Sequence, residues 1–578
     1  FIAEATGQRG QWGLTQDNFG RIYFNSNSDF LRTNPLPESL ASRNPNFPST
    51  AGLGFQVLKD QTTWPGHPTP GVNRGYDLKT LREDGSLAAS TATCGPAIYR
   101  GSLFPREYRG NAFIPEPAGN LVKRVLLSEK DGVVTGDNAS TTTEFWTSTD
   151  ERFRPVNAFS GPDGALYVVD QYRGVIQHKH FLTHYLVANI KERNLETPFD
   201  MGRIWRIVPD KAKAASTKIP SESSLLVKLL GNENGWVRDT AQRLLVERKD
   251  ASVTPQLQSM ATKAKNPLAK IHALWTLEGT ASVTPEVISA CLKDKDPKVR
   301  ATSIYLTSRA QLSELATLVE DPSVDVQIAL AFQLSAFPET QKAALELAVK
   351  AGTHPLVRDA FLSGLRGREL ETLQALIESR GASSPPAVVE ALAQAVMAER
   401  RKERVAALIS LLGRQPAKSP LQKAILSGAA GKAVATKNSS AVKLLYLESA
   451  PPELEQLALS LDAGSQPLLK ALDSRLAWPN KPGVPPPPVV KPLTQGELAL
   501  FETGKGVYAS LCAGCHQPNG TGMQGLAPAL MDSEWVLAAP EIAARILLHG
   551  LAGPIKVGSV SWNLEMPPLG AALTDEQI

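Results

Sequence analysis

Two cysteines and a histidine near the end of the sequence have the spacing Cys-x-x-Cys-His: Cys512, Cys515 and His516. Two thiols at this spacing can form thioether bonds to the two vinyl groups of one porphyrin, and the adjacent imidazole then lies beneath the iron. The motif therefore predicts covalent attachment of haem c through Cys512 and Cys515, with His516 as one axial ligand of the iron.

A haem of the electron-transfer kind also needs a ligand on its second face, and a Met in that position raises the reduction potential. Met566 is predicted to be this ligand, because it lies far enough along the chain for the polypeptide to wrap the ring. Two prolines follow it directly and fix the backbone of its loop. Met523 and Met531 follow the attachment motif more closely, and His549 would give bis-His ligation. These three residues remain alternatives.

Two cysteines at this spacing also occur in redox pairs and in half of a zinc site. A zinc site needs a second ligand pair, whereas the other cysteines, Cys94 and Cys291, stand alone in the sequence. A redox pair would follow a strand in a βαβ pattern, whereas this motif ends a helical pattern over residues 497–511. The sequence favours haem, and we expect Cys94 and Cys291 to be free thiols.

The whole sequence has 578 residues, too many for one hydrophobic core, and it therefore predicts several domains. Lys and Arg number 61 against 57 Asp and Glu, a net charge of +4, and no basic run is interleaved with aromatic residues, so no nucleic-acid partner is indicated. No stretch approaches eighteen consecutive apolar residues, and we expect no transmembrane segment. The sequence opens at Phe1 without a signal-peptide pattern, which is typical of a processed start or of a fragment.

Short β patterns separated by Gly, Asp and Asn fill residues 1–209. Strands are predicted at 21–24, 121–127, 165–170 and 202–207, and turns precede two of them, at 17–20 and 161–164. A repeated unit of a turn and an aromatic-rich strand is typical of propeller blades. We therefore expect residues 1–209 to be an all-β partial propeller, the C-terminal blades of a ring whose other blades precede Phe1.

Two stretches interrupt this pattern. Residues 28–93 are rich in Pro, Asn and Gly with no clear strand, and a loop of that length usually covers or builds a site. His178, His180 and His184 follow β-like residues, and the spacing of the last two would place them on one helix face, where they could hold a metal. No carboxylate or cysteine stands nearby to complete a metal site, so the sequence favours surface histidines.

Residues 216–476 change to an Ala- and Leu-rich helical pattern. A recurring element begins helices at 236–238, 297–300 and 355–358, with weaker copies at Pro267 and Pro322, and its spacing near thirty residues indicates an α-solenoid of HEAT-like repeats. We expect this domain to act in spacing or docking. Residues 477–493 are predicted to be a Pro-rich linker, and residues 494–578 the haem domain, with a helix-start pattern at 574–577 that predicts a last helix cut short by the end of the sequence.

The segment 7–14, with the turn and strand after it, resembles a blade of the six-bladed soluble quinoprotein sugar dehydrogenases and sorbosone dehydrogenases. In that family an Arg and an Asn of this segment contact pyrroloquinoline quinone; Arg9 matches the Arg, and Gly10 stands at the position of the Asn. Residues 154–170 and 202–207 are similar to the family's final blade. The resemblance implies a sugar or alcohol substrate, bound quinone with calcium, and Arg9 as a quinone-contacting residue.

Tyr172 and Arg173 are further candidates for the catalytic site, because they directly follow Asp170 at a predicted strand end. The alternative for each is an ordinary residue at the edge of a blade, paired with a neighbouring carboxylate. Sequence alone leaves both interpretations open.

The order of propeller, HEAT-like repeats, proline linker and class I cytochrome c domain resembles a family of large secreted bacterial proteins described as dehydrogenase-like. The resemblance implies a periplasmic or secreted dehydrogenase that passes electrons from a propeller site to the haem and on to an external redox partner. The alternative is a non-catalytic redox adaptor, in which propeller and repeats are binding platforms and only the haem is redox-active. Gly10 in place of Asn favours this alternative.

Overall fold

The computed structural model describes residues 13–37, 43–44, 51–212, 217–431, 444–484, 492–517, 520–522, 526–531, 533–558, 560–574 and 577. The chain divides into two compact units. The first unit consists of Phe1–Ile176 and Asn189–Ser379, and the second consists of Gln177–Ala188 and Arg380–Ile578.

Three antiparallel sheets occupy the N-terminal part of the first unit. The first contains β1 (Leu14–Gln16), β2 (Ile22–Ser26), β3 (Asp29–Thr33) and β4 (Phe55–Gln56), in chain order. The second contains β5 (Ala97–Ile98), β6 (Ala112–Glu116), β7 (Leu121–Lys130) and β8 (Val133–Asn138), with β9 (Trp146–Thr147) paired to β7. The third contains β10 (Pro155–Ser160), β11 (Leu166–Asp170) and β12 (Arg203–Ile207). Among the described strands the three sheets stay separate and form no closed barrel.

The four predicted strands are confirmed as β2, β7, β11 and β12. Both predicted turns are also present, and Gly20 (φ 81°) and Gly164 (φ 77°) take the left-handed conformation that these turns require. The expectation of no clear strand in residues 28–93 is wrong at β3 and at the two-residue β4. Phe30 and Leu31, neighbours on opposite faces of β3, are both fully buried, so this strand lacks the alternation that identifies a half-buried strand.

Apolar side chains between the sheets form the core of this region. One cluster joins the first two sheets through Phe30, Leu31, Ile98 and Val125. A second cluster, which includes Phe113 and Val168, joins the second sheet to the third. Because each cluster takes residues from two sheets, no sheet buries its apolar face alone.

Ten described helices, α2–α11, follow the sheets in chain order, whereas α1 lies between β11 and β12, with His184–Ala188 in the second unit and Asn189–Glu192 in the first. Their bounds are α1 (His184–Glu192), α2 (Ser223–Leu229), α3 (Gly235–Arg248), α4 (Thr254–Lys263), α5 (Pro267–Gly279), α6 (Pro285–Cys291), α7 (Pro297–Tyr305), the short α8 (Leu312–Leu315), α9 (Val324–Ser335), α10 (Gln341–Ala351) and α11 (Pro355–Ser363). A further helix, α12 (Glu369–Arg380), ends at the boundary of the unit.

The recurring element of the helical region does begin helices, at α3, α5, α7 and α11. Asn234, Asn266 and Asp296 cap three of them, each by accepting a hydrogen bond from a backbone N–H two residues later. An Asn or Asp cap satisfies a backbone donor that the helix leaves free, and Pro is tolerated in the first turn. The element is therefore a helix-start signal with a physical cause.

The first helices pack on the sheets within the first unit. Arg100, just after β5, makes a bidentate salt bridge with Asp239 of α3, with nitrogen–oxygen distances of 2.7 and 2.9 Å. The cap residue Asn234 donates to the carbonyl oxygen of Gly161 in a sheet turn, at 3.0 Å. The chain changes from strands to helices between β12 and α2, but the strands and the helices up to Ser379 belong to one compact unit.

The long segment 28–93 is anchored on α11 and α12. Asn44 is fully buried, and its amide donates to the carbonyl oxygen of Leu362 and to Glu369 Oε1, at 3.0 and 2.7 Å. The buried carboxylate of Asp359 accepts from the backbone N–H groups of Ala51 and Gly52, at 3.0 and 3.2 Å. Buried polar contacts of this kind fix Asn44, Ala51 and Gly52 on the two helices.

In the second unit, helices α13 (Pro386–Glu399), α14 (Lys402–Gly413), α15 (Pro420–Ala430), α16 (Glu453–Ser460) and α17 (Gln466–Asp473) precede the C-terminal region, with a parallel pair, β13 (Leu445–Tyr446) and β14 (Leu476–Ala477). The C-terminal region contains α18 (Gln495–Val507), a π-helix (Tyr508–Cys512), α19 (Ala513–His516), α20 (Pro540–His549) and a hairpin of β15 (Pro554–Val557) and β16 (Val560–Asn563). The prolines 485–488 of the predicted linker, and Asp575 and Glu576 of the predicted last helix start, lie outside the described residues. Within the described ranges no helix combines the length and the apolar character needed to cross a membrane.

Candidate haem site

Helix α18 leads into the Cys-x-x-Cys-His motif and begins two residues before the helical pattern predicted over residues 497–511. The Thr494 hydroxyl accepts from the Glu497 backbone N–H, at 3.3 Å, and the Glu497 carboxylate accepts from the Thr494 backbone N–H, at 2.8 Å. This reciprocal capping box satisfies two donors at the helix end. The start of the helix, and with it the position of the motif, is thus fixed by local sequence.

The motif itself lies where the helix changes geometry. A single π-helical turn, Tyr508–Cys512, is followed by α19, which contains Cys515 and His516. Turns of this kind are rare and occur often at functional sites. The Tyr508 hydroxyl donates to the carbonyl oxygen of Gln517 at 2.6 Å, and the Gly522 N–H donates to the carbonyl oxygen of His516 at 2.9 Å, so the chain after the motif folds back onto it.

His516 is held in the tautomer that a metal ligand needs. The ring is 7 % exposed, and Nδ1 lies 2.8 Å from the carbonyl oxygen of Pro528. A carbonyl oxygen can only accept, so Nδ1 carries the hydrogen and Nε2 keeps its lone pair. Burial lowers the pKa of His516, although the bond to Pro528 opposes this, and the neutral form is favoured.

The two cysteines of the motif differ in exposure. Cys512 is half-buried and Cys515 is exposed, and neither is in a disulfide. Burial, with a smaller contribution from Cys515, raises the pKa of Cys512. Cys94 and Cys291 are buried free thiols, as expected, and burial raises their pKa values to about 12 and about 11.

Met566 lies in a loop that is tied back to the end of α20. Its backbone N–H donates to the carbonyl oxygen of Leu551 at 2.8 Å, and the Leu551 N–H donates to the carbonyl oxygen of Met566 at 2.9 Å. Gly550, between α20 and this pair, has φ 75° and ψ −176°. A Cβ at this position would lie 2.5 Å from the Met566 carbonyl oxygen, so the close approach requires glycine.

The alternative ligands have different surroundings. Met523 lies outside the described residues. Met531 is 43 % exposed, and its backbone N–H donates to the carbonyl oxygen of Gly520. His549 is the last residue of α20 and is exposed. Neither Met531 nor His549 has the two-bond anchoring of Met566.

The side chain of Trp562 in β16 has a buried polar atom that a bound prosthetic group could satisfy. The side chain is 9 % exposed, and its Nε1 is a buried donor with no hydrogen-bond partner in the described part of the chain. An unpaired buried donor costs about 1–3 kcal/mol, which a group with acceptor oxygens would recover. Together with the free Nε2 of His516, this orphaned donor fits a haem bound in the domain.

The candidate catalytic residues of the sheets have internal partners. The Tyr172 hydroxyl donates to Asp150 Oδ2 at 2.8 Å, which raises the pKa of Tyr172, and the Arg203 guanidinium lies 3.8 Å from the centre of the Tyr172 ring. Arg173 lies over the ring of Phe199 at 5.1 Å. Tyr172 has φ 47°, an uncommon conformation for a bulky residue. Arg9 lies outside the described residues.

The sequence analysis used Asp170 only to mark the end of a strand and did not predict that its carboxylate is buried next to Tyr172. Asp170 is 1 % exposed and accepts from the backbone N–H groups of Arg154 and Tyr172, each at 2.9 Å, and from Trp205 Nε1 at 3.1 Å. These bonds hold the end of β11 and explain why the chain turns sharply at Tyr172. An acidic residue at the end of an apolar strand was the available signal.

The expectation that His180 and His184 share a helix face is wrong. His180 lies in a short 3₁₀-helix, Lys179–Phe181, and His184 is the first residue of α1, so the chain changes direction between them. The His178 and His180 rings lie 5.0 Å apart. Across the described residues, no group of three or more His, Cys, Asp or Glu side chains is arranged to hold a metal ion.

Comparison with known proteins gives two family matches. Residues 2–211 match a domain of unknown function, DUF7133, and residues 501–578 match the cytochrome c family. A cytochrome c-552 of Thermus thermophilus is 40 % identical over 91 residues, which are 15 % of this chain and 60 % of that protein. A second Thermus thermophilus cytochrome c-552 is 39 % identical over 79 residues, 13 % of this chain and 59 % of that protein. The chain thus spans about three fifths of the length of the curated relatives it matches.

One solved structure, the E. coli protein YibA, is 16 % identical, with a TM-score of 0.23 over 45 % of this chain and 98 % of that one. A similarity at this level carries no structural argument. The two cytochromes and the family match agree with the geometry around His516. The C-terminal part of the chain is a cytochrome c domain that carries covalent haem c, and Cys512 and Cys515 stand in its attachment motif.

Proposed function

We propose that this chain transfers electrons through a haem c attached at Cys512 and Cys515, with His516 and Met566 as the axial ligands. The observation that carries the proposal is the bond between His516 Nδ1 and the Pro528 carbonyl oxygen, 2.8 Å long, because it leaves Nε2 as the coordinating atom. When bound, the haem supplies one-electron exchange between the ferric and ferrous states of its iron.

The residues of the domain have separate roles in this proposal. Cys512 and Cys515 fix the group to the chain, so it is not lost when the domain opens. Pro528 orients the His516 ring. The paired bonds between Leu551 and Met566 hold the thioether loop, and a thioether ligand raises the reduction potential.

For the rest of the chain we propose a sugar or alcohol dehydrogenase. In this proposal residues 1–209 are blades of a six-bladed propeller that binds pyrroloquinoline quinone and calcium, and Arg9, Tyr172 and Arg173 contribute to its site. The three sheets support the blades, because strands paired mainly in chain order are typical of blades. Residues 216–476 form HEAT-like repeats, residues 477–493 a linker, and electrons leave the haem for an external redox partner. Covalent haem supports a periplasmic or secreted location.

A redox adaptor is the second candidate. Tyr172 and Arg173 are engaged with Asp150, Arg203 and Phe199, which supports a role at the edge of a sheet rather than in catalysis. In this version the sheets and helices bind partners, and the haem alone is redox-active.

The ligand assignment is tested with the haem-loaded full chain. Met566→Ala should remove the weak absorption band that Met–iron coordination gives near the red end of the ferric spectrum, and should lower the reduction potential. Met531→Ala is the matched control and should keep both, because Met531 is exposed. An unchanged spectrum and potential in Met566→Ala would exclude Met566 as the ligand.

The two functions are separated by haem reduction. The full chain is incubated with pyrroloquinoline quinone and calcium, and a panel of sugars and alcohols is added while the ferrous haem is measured. A dehydrogenase reduces the haem with at least one substrate, and Arg9→Ala slows this reduction. If no substrate reduces the haem and the chain retains no quinone, the dehydrogenase proposal is excluded and the redox adaptor is supported.

A further inference from the structure

The segment Gln177–Ala188 comes from the chain between β11 and β12, and it belongs to the compact unit that contains the cytochrome c domain. The residues on either side of it, Phe1–Ile176 and Asn189–Ser379, belong to the other unit. A stretch of twelve residues therefore leaves the unit of its sequence neighbours. Ordering these twelve residues in the second unit costs conformational entropy, and interactions within that unit must compensate this cost.

One such interaction connects the segment to the proposed haem-ligand loop. His184 Nδ1 lies 3.2 Å from Glu565 Oε1. Glu565 directly precedes Met566, and its side chain is only 17 % exposed. The His184 side chain is 95 % exposed and reaches the carboxylate from the surface.

The local structure of the segment fixes the backbone at His184. The hydroxyl of Thr183 accepts from the Leu186 N–H at 3.3 Å, and the Thr183 carbonyl oxygen accepts from the Val187 N–H at 3.0 Å. These two bonds start α1 at His184. Thr183 and Leu186 are buried, at 3 % and 5 % exposure, so the first turn of the helix is anchored on its inner face.

We propose that Gln177–Ala188 is a docking element for the cytochrome c domain and that the contact between His184 and Glu565 is its recognition point. The partner is a part of the same chain, the loop that contains Glu565 and Met566. Within the second unit, the loop before Met566 is then held by a segment that lies far from it in sequence. The proposal does not depend on dehydrogenase activity or on the identity of the axial ligand.

Crosslinking tests the contact directly. A zero-length carbodiimide crosslinker joins amines to carboxylates in contact, so in the haem-loaded His184→Lys variant it should join position 184 to Glu565, identified by mass spectrometry. The pair Lys402 and Glu448, 2.5 Å apart in the same unit, is an internal positive control. Formation of the control crosslink without the 184–565 crosslink would overturn the proposal.

Hydrogen exchange of the haem-loaded full chain, without crosslinker, gives a second measurement. His184→Ala and Glu565→Gln should each accelerate amide exchange within residues 177–188 by about two- to five-fold, the range for a polar contact with an exposed side chain. The double variant should exchange no faster than the single variants. Glu541→Gln, at an exposed carboxylate in the first turn of α20, is the matched control and should change nothing. Unchanged exchange in both single variants would also overturn the proposal.

Discussion

Replacing Gly550 by Ala should release the loop that contains Met566. Gly550 has φ 75° and ψ −176°, a region that is essentially restricted to glycine. The added Cβ would lie 2.5 Å from the Met566 carbonyl oxygen and 2.9 Å from the Pro568 nitrogen. Both are backbone atoms, so no side-chain rotation can relieve the contact.

The expected cost is the sum of two contributions. A non-glycine residue in this conformation costs on the order of 1–3 kcal/mol. Relief by moving the loop would break the two backbone bonds between Leu551 and Met566, each worth about 0.5–1.5 kcal/mol. The total is about 2–6 kcal/mol of local stability. For a domain of this size it corresponds to a fall of roughly 10 °C or more in the midpoint of thermal loss of Met–iron coordination.

The measurement is the ferric absorption band of Met–iron coordination, followed on heating in the haem-loaded full chain. Gly558→Ala is the matched control, because Gly558 also has a positive φ, 58°, but a Cβ there would meet nothing within 4 Å. It should cost only about 1 kcal/mol. Equal midpoints and equal reduction potentials for the two variants would refute the argument that Gly550 positions Met566.

Two further predictions concern the first unit. Burial and the neighbouring Arg238 lower the pKa of His272 in α5 to about 4 in the folded chain, from its usual value of 6.5. At a pH below 6.5, unfolding therefore takes up a proton at His272. Stability should therefore fall as pH drops from 6.5 through about 4, by at most about 3 kcal/mol, and His272→Gln should flatten this dependence in urea unfolding; an equal slope would contradict it. Asp359→Ala should cost about 1–3 kcal/mol and accelerate amide exchange at Ala51 and Gly52, whereas unchanged exchange would show that Asp359 does not anchor the loop.

Local sequence determined the elements whose signals are short-range. The recurring helix-start element and the two turns were predicted from the sequence; the structure shows that Asn and Asp caps before α3, α5 and α7 and the turn glycines, which each act within about four residues, are their physical cause. The haem motif is of the same kind, because its two thiols and its imidazole lie within five consecutive residues, 512–516.

Tertiary structure decided what depends on contacts between distant residues. The burial of both faces of β3, the anchoring of Asn44 on α12, and the bond from His516 to Pro528 all join groups that no local pattern connects. His184 is the clearest example: its spacing from His180 indicated a shared helix face, but the chain turns between them and His184 meets Glu565, 381 residues away. A spacing rule holds only while one element continues, and where an element ends is set by the packing around it.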